Sequence, residues 1–372
     1  MTPSSTISYL TDIYLGQGAV QYVAGLLSDW GCQRPLVVTD RGLVELGGVD
    51  RLGIEGVVYD EVETNPTEDQ ARACLEVFRG GDCDALVALG GGSSIDLAKC
   101  VGILVGHEGP LERYAILHGG IPKIQNPLPP LLAVPTTAGS GSEVGRAALL
   151  TLTSGDKMGF LSPFLIPKAA VCDPELTVSL PRALTAGTGM DAISHCVETF
   201  CSTRFNPVAD AIALDGLVRG CNHILAVTEN GGYLEGRREM VLCSLEGGLA
   251  FQKSLGAVHS LSHPLGALTE RGLHHGTLNA LFLPAVLRFN FDTCPEKMKA
   301  MAGRLGLCGS ELPEYFEGLN ERLGLPKTLA EMGLTADVVE PLAEKAAGDH
   351  CSPTNPRALD AAACLALYTE VL

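Results

Sequence analysis

The sequence predicts an α/β domain built on a parallel sheet, followed by an all-α domain. In the first half, short apolar runs alternate with stretches of helical periodicity, which favours parallel strands covered by helices on both faces. Beyond about residue 180, long helical patterns dominate and strand signals disappear. Because 372 residues exceed one ordinary core, we expect two domains, 1–180 and 181–372.

Each predicted element follows from a local pattern. Four apolar runs are expected as strands, at 34–39, 54–59, 84–89 and 130–134. Apolar residues recur at helical spacing over 67–79 and, in the second half, over 209–226 and 237–252. The turn signals Asp173-Pro174 and Leu180-Pro181 place the domain boundary.

The composition excludes several classes of partner. A net charge of −17 argues against nucleic acid and anionic membranes. The chain shows no secretory signal pattern and no apolar run of the roughly 20 residues that span a bilayer. Its 13 cysteines are scattered and lack a CxxC pair, which is typical of reduced thiols. We therefore expect a cytoplasmic protein that acts on a small molecule.

A glycine-rich turn, GGGSSIDLAK at 90–99, directly follows a predicted strand. Gly91 and Gly92 would let backbone amides approach a ligand, and Ser93 to Asp96 would open a helix whose N-terminus favours phosphate. The turn is not the GxGxxG fingerprint. A tight connection between strand and helix that binds no phosphate is therefore an equally open interpretation.

A second small-residue segment, PTTAGSGSE at 135–143, also follows an apolar strand. Two such loops at the carboxyl ends of strands indicate a crevice where nucleotides bind. Asp40 ends another strand, where its carboxylate could hold a ribose diol. A helix cap or turn residue is the alternative interpretation of Asp40.

The spacing of several histidines predicts a metal site. Asp191 and His195 lie four residues apart, on one face of a helix. His259 and His263 repeat the spacing, and His275 follows. One carboxylate and three imidazoles suit a divalent first-row metal with a position left for substrate oxygen. By periodicity alone, His263 would be a further imidazole ligand.

Over nearly its whole length the chain resembles the iron-dependent (group III) alcohol dehydrogenases. The resemblance is carried by GGGSSIDLAK, PTTAGSGSEV, GMDAISH, HSLSHPLGA, the His-Gly at 275–276 and the closing Asn-Pro-Arg at 355–357. It implies a Rossmann-like dinucleotide-binding domain followed by an all-helical metal-binding domain, together a dehydroquinate synthase-like fold. It also implies that the chain is an enzyme, a dehydrogenase that uses NAD.

The resemblance assigns roles residue by residue. It implies metal ligation by Asp191, His195, His259 and His275, and places His263 beside the nicotinamide instead of on the metal. It implies cofactor contacts from Gly91, Gly92, Ser93, Asp96, Thr136, Thr137 and Lys157. Asp40 resembles the residue that favours NAD by repelling a 2′-phosphate.

The implied metal is Fe²⁺, although imidazole and carboxylate ligands accept Zn²⁺ as well. It would act as a Lewis acid on the substrate oxygen while His263 relays the proton. Segments 251–256 and 272–280 are most similar to the branch of the family that interconverts 4-hydroxybutyrate and succinate semialdehyde. Such a substrate needs a cation for its carboxylate, for which we name Lys253 and then Arg146. Either could instead form a salt bridge.

Three alternatives stay open. The first is a general short-chain alcohol, diol or lactaldehyde dehydrogenase of the same family. The second is a lyase resembling dehydroquinate synthase, which would require a cluster of basic residues that the ligand segments lack. The third is a non-catalytic metal-binding protein, which would not need the cofactor loops. We also expect a homo-oligomer, dimeric or larger.

Overall fold

A computed structural model describes residues 11–125 and 127–372. The described residues fall into two compact units that separate in sequence between Ser179 and Leu180. The first ten residues of the predicted first domain, and Asn126, lie outside the described residues. Among the helices that are described, none is long and apolar enough to cross a membrane.

The first unit contains a parallel sheet, as the alternating pattern predicts. Its strands are β1 (Asp12–Leu15), β2 (Pro35–Val38), β3 (Val57–Tyr59), β4 (Ala85–Gly90), β5 (Leu131–Pro135), β6 (Ala147–Thr151), β7 (Lys157–Leu161) and β8 (Ala169–Cys172). Its helices are α1 (Tyr22–Asp29), α2 (Arg41–Glu45), α3 (Glu68–Gly80) and α4 (Gly92–Gly106). Six of these strands form one sheet in the order β1-β8-β5-β4-β2-β3, and every neighbouring pair is parallel.

The sheet is apolar because its central strands are covered on both faces. Every residue of β2, β4 and β5 is buried, and parallel strands of this kind consist of continuous apolar runs. After β2 the chain moves outward to β3 and then returns to the other side of β2 as β4. The carboxyl ends of β2 and β4 therefore flank a reversal of strand order, where α/β sheets bind ligands.

Strands β6 and β7 form a separate antiparallel pair, which the sequence patterns did not predict. It is tied to α4 by the ammonium of Lys99, which is fully buried. Lys99 Nζ donates to the carbonyl oxygens of Ser142 and Gly145 at 2.7 and 2.9 Å. Asp96 accepts from Ser142 Oγ at 2.6 Å and from Leu149 N at 2.9 Å. This network fixes the loop between β5 and β6 against the helix.

The second unit is helical throughout its described length. Its helices are α5 (Arg182–Cys201), α6 (Pro207–Glu229), α7 (Leu234–Ala250), α8 (Ala257–Gly266), α9 (His275–Asn290), α10 (Pro295–Arg304), α11 (Leu312–Leu323), α12 (Ala336–Val339), α13 (Ala343–Ala347) and α14 (Ala361–Glu370). The predicted helices at 209–226 and 237–252 correspond to α6 and α7. Helix α5 packs against α6, α7 and α9, so its side chains face the interior on most sides. An α/β unit and an all-α unit confirm the predicted fold class.

Glu143 gives the first unit an expected dependence of stability on pH. Burial raises the pKa of its carboxyl from 4.5 to about 7. Between those pH values the unfolded chain ionises while the native side chain stays protonated. The free energy of unfolding should therefore fall as pH rises, by up to roughly 1.4 kcal/mol per pH unit, and level off above pH 7.

The Glu143→Gln variant removes this titration and should lose less stability than the unsubstituted protein from pH 5 to pH 7. Urea unfolding at several pH values measures the difference. Glu76→Gln, at an exposed position on α3, is the matched control and should retain the original slope. If the unfolding free energy changed with pH by the same slope in Glu143→Gln and in the unsubstituted protein, the raised pKa of Glu143 would be contradicted.

Candidate metal centre and cofactor loops

Two glycines allow α5 and α9 to touch through their backbones. A Cβ placed on Gly276 would lie 2.2 Å from the carbonyl oxygen of Gly187, so any side chain there would push the helices apart. Asp191 lies one turn beyond Gly187, and His275 directly precedes Gly276. The close approach therefore brings these two side chains to the same place.

The four predicted metal ligands converge in the second unit. Asp191 Oδ1 lies 3.8 Å from His195 Nε2, 3.7 Å from His259 Nε2 and 3.8 Å from His275 Nε2. Donors about 2.1 Å from a tetrahedral ion would be about 3.4 Å apart, so these atoms fit one divalent cation. The His275 side chain is 26% exposed while the other three are buried, which leaves an open side as catalytic sites require.

Electrostatics keeps the carboxylate of this set ionised. Burial would raise the pKa of Asp191, but His195 and His275 counter it and hold the pKa well below its ordinary range. Burial likewise opposes charge on His259, whereas hydrogen bonds with Asp191 and Glu198 raise its pKa to about 9. A positive group is thus strongly favoured beside Asp191, and a divalent cation is one that meets this demand.

Glu198 contacts the ring nitrogen of His259 that does not face Asp191. The distance from His259 Nδ1 to Glu198 Oε2 is 2.5 Å, and Glu198 Oε1 accepts from Val258 N at 2.6 Å. Glu198 is itself one turn beyond His195 on α5 and is buried. A carboxylate on the far ring nitrogen directs Nε2 toward the centre and makes the imidazole a better ligand.

His263 belongs to a second group of side chains. Its Nδ1 lies 2.9 Å from Asp349 Oδ2, and its ring stacks on that of His350. Burial lowers the pKa of His263 to about 4, which Asp349 offsets only in part. A neutral ring that donates from Nδ1 presents a lone pair at Nε2. The structure groups His263 with Asp349 and His350, whereas Asp191 lies with His195 and His259, so His263 stands apart from the ligand set around Asp191.

Sequence reasoning missed two residues of the centre. Asp349 lies 86 positions from His263, so no local spacing could connect them. Asn279 lies one turn after His275 on α9, and that spacing was an available signal. Asn279 Nδ2 donates to Asp191 Oδ1 at 2.7 Å.

In the first unit, the two small-residue loops pack against each other. A Cβ on Gly91 would lie 3.2 Å from the Thr137 side chain, and one on Gly92 would lie 2.8 Å from Ser140 Cβ. Thr136 N donates to Gly90 O at 3.0 Å. Helix α4 begins at Gly92, with Ser93 in its first turn, and has no side-chain cap. Its amides are therefore suited to hold the phosphates of a dinucleotide.

Other residues predicted to touch the cofactor also have partners within the protein. Asp40 is the N-cap of α2, and its Oδ1 accepts from Leu43 N at 3.0 Å. One oxygen of the carboxylate therefore acts as the helix cap that was the alternative interpretation of this residue. Lys157 Nζ donates to Asn65 Oδ1 at 2.8 Å. Both oxygens of Asp96 accept bonds from Ser142 and Leu149, which indicates that Asp96 supports the loop.

Of the two proposed anchors for a carboxylate, Lys253 is engaged elsewhere. Its buried ammonium pairs with Asp210 and donates to Phe200 O at 3.3 Å, at the end of α5. Since this charge is satisfied within the helical unit, the structure argues against Lys253 as the anchor. Arg146 directly precedes β6 in the first unit and is half-buried.

Comparisons with known proteins give a consistent answer. Residues 11–174 match the family model "Iron-containing alcohol dehydrogenase", and residues 185–372 match "Fe-containing alcohol dehydrogenase family, C-terminal". The 4-hydroxybutyrate dehydrogenase of Cupriavidus necator is 48% identical over 96% of this chain and 97% of its own. A crystal structure of a 1,3-propanediol oxidoreductase has a TM-score of 0.93 at 35% identity, covering 99% of this chain and 100% of its own. Sulfoacetaldehyde reductase from Bifidobacterium kashiwanohense, solved in complex with NAD⁺, has a TM-score of 0.87 at 26% identity, covering 98% of both chains.

The arrangement predicts graded losses of metal affinity. His259→Ala removes one of four ligands and should abolish tight binding, whereas Glu198→Gln should weaken it about 10- to 100-fold by loosening the imidazole. Competition with a chromophoric chelator measures both. His223→Ala, on α6 with its ring bonded to Arg219 O, is the control and should bind normally. Normal metal affinity in His259→Ala would contradict the assigned ligand set.

Proposed function

The chain belongs to the iron-containing alcohol dehydrogenase family, and we propose that it is an NAD-dependent enzyme that interconverts 4-hydroxybutyrate and succinate semialdehyde. The observation that carries the proposal is the convergence of Asp191 with three imidazoles around one centre. Membership in the family sets aside the lyase and the non-catalytic metal-binding protein.

The residues of each unit supply one part of the chemistry. The metal would be held by Asp191, His195, His259 and His275. The family implies Fe²⁺, and ligands of these types accept Zn²⁺ as well. A bound metal would supply Lewis-acid polarisation of the substrate oxygen. NAD, held at Gly91, Gly92 and the start of α4, would accept the hydride. The relative solved with NAD⁺ supports this choice of cofactor.

His263 is suited to move the proton. Its Nδ1 is held by Asp349 at 2.9 Å, so its ring is oriented and its Nε2 lone pair is available. The lowered pKa keeps the imidazole neutral at neutral pH. A neutral, oriented imidazole can accept the hydroxyl proton during oxidation and return it during reduction.

The substrate assignment rests on the relative that shares 48% of its residues with this chain and acts on 4-hydroxybutyrate. A protein of net charge −17 repels a free carboxylate, so a local cation must offset the field. With Lys253 paired to Asp210, Arg146 becomes the proposed anchor. The alternative is a neutral diol, since a 1,3-propanediol oxidoreductase shares the fold at 35% identity.

We also propose a cytoplasmic, homo-oligomeric enzyme. Cysteines in the described residues are all free, and most are buried, which suits a reducing compartment. Strand β1 lies at an edge of the sheet and carries the exposed side chains of Ile13 and Leu15. An apolar sheet edge of this kind is a natural place for a second copy to pair.

Substrate preference tests the assignment directly. A charge-assisted hydrogen bond to the carboxylate contributes roughly 1.5–3 kcal/mol, so kcat/KM for 4-hydroxybutyrate should exceed that for 1-butanol about 10- to 100-fold. Arg146→Ala should lose the preference, and Arg79→Ala, an exposed position on α3, should keep it. Equal values for 4-hydroxybutyrate, 1-butanol and 1,3-propanediol in the unsubstituted enzyme would favour a general alcohol dehydrogenase.

Cofactor preference tests the role of Asp40. Its carboxylate should repel a 2′-phosphate, so NAD should be used in preference to NADP. Asp40→Asn keeps an oxygen for the cap of α2 but removes the charge, and should raise the NADP/NAD ratio of kcat/KM about tenfold. Asp29→Asn, exposed on α1, should leave the ratio unchanged. An unsubstituted enzyme that uses both cofactors equally would refute this role.

A further inference from the structure

The side-chain amide of Asn279 lies beside three ligand atoms of the centre. Its Nδ2 is 2.7 Å from Asp191 Oδ1 and 3.1 Å from both His259 Nε2 and His275 Nε2. Asn279 is fully buried, and it lies one turn beyond His275 on the same helix. One uncharged side chain thus contacts three of the four predicted ligands, which come from three different helices.

A purely structural role does not account for this placement. A buried asparagine that only fills space between helices normally bonds to backbone, as Asn320 does by donating from Nδ2 to Ala280 O at 2.7 Å. Asn279 instead directs its donor group to ligand atoms, and its Oδ1 is buried without a hydrogen-bond partner. The target of the donor group is what separates the two asparagines, because the Oδ1 of Asn320 is likewise buried without a partner.

We propose that Asn279 is a positioning residue of the metal centre, which fixes the Asp191 carboxylate and thereby sets the affinity for a divalent metal. This inference rests on the proposed function, because it takes the converging side chains to be metal ligands. A carboxylate has two oxygens and a rotatable bond, and Asp191 must present one oxygen to three imidazoles at once. The N–H of Asn279 selects Oδ1 and restrains the rotation.

The chemistry requires such a restraint on Asp191 in particular. Glu198 orients His259 from its far nitrogen, whereas Asp191 Oδ1 contacts the imidazoles and the amide of Asn279. Residues that bond to metal ligands typically alter metal affinity 10- to 100-fold when they are replaced. Asn279 should act on metal binding and on kcat together, while substrate KM changes little.

The test measures Co²⁺ binding to the full-length protein and the visible absorption of the bound ion. Asn279→Leu keeps the branched shape but removes the donor, and Asn279→Ala removes the donor without adding bulk. Both should raise the Kd for Co²⁺ about 10- to 100-fold and shift the absorption bands, because the carboxylate is no longer held. Asn320→Leu is the matched control, since it removes a buried amide that also bears an unpartnered Oδ1 from the neighbouring α11.

The outcomes are distinct. Weaker Co²⁺ binding in both Asn279 variants, with normal binding in Asn320→Leu and similar thermal unfolding of all the metal-free proteins, supports the inference. Unchanged affinity and spectrum in Asn279→Leu and Asn279→Ala overturn it while leaving the proposed function intact. If the unsubstituted protein itself fails to bind Co²⁺ at one site per chain, the proposed metal-dependent function fails first.

Discussion

The helical unit is organised around one buried carboxylate. Asp191 lies inside a protein with few ways to stabilise a negative charge, and it remains ionised because three imidazoles face its Oδ1 at 3.7–3.8 Å. Those imidazoles arrive on α5, α8 and α9, so a single electrostatic demand fixes the relative positions of three helices. Glu198 and Asn279 belong to the same arrangement, since Glu198 contacts His259 and the amide of Asn279 donates to the carboxylate itself.

The α/β unit also contains a buried charged side chain, but of positive sign. The ammonium of Lys99 is fully buried and is satisfied by carbonyl oxygens of the β5–β6 loop. That loop also packs on Gly91 and Gly92, so the shape of the predicted phosphate cradle depends on a lysine that has no need to touch the cofactor. In both units, a buried charge orders the backbone that carries the functional groups.

The sequence predicted features that follow from local spacing or from motifs. It missed contacts between residues that lie far apart in the chain. Helical spacing identified Asp191 with His195, and the motifs separated His263 from the metal ligands, which spacing could not do. Lys253 was named as a substrate anchor because of the motif that contains it. Its partner Asp210 lies 43 positions away, which is beyond the range of a local pattern. Asp349 was missed for the same reason. Strands β1, β6, β7 and β8 were not predicted either, and β6 and β7 form an antiparallel pair that an alternation of parallel strands and helices does not indicate.

The backbone contact between Gly187 and Gly276 has a consequence for how such an enzyme can diversify. A methyl group at Gly276 would meet backbone instead of a movable side chain, so the distance between α5 and α9 is locked independently of what the enzyme acts on. New substrates can then be accommodated by exchanging residues around the open side near His275, with no adjustment of the catalytic core. That separation of a rigid core from a replaceable rim is compatible with hydroxy acids and diols being handled by relatives on one scaffold.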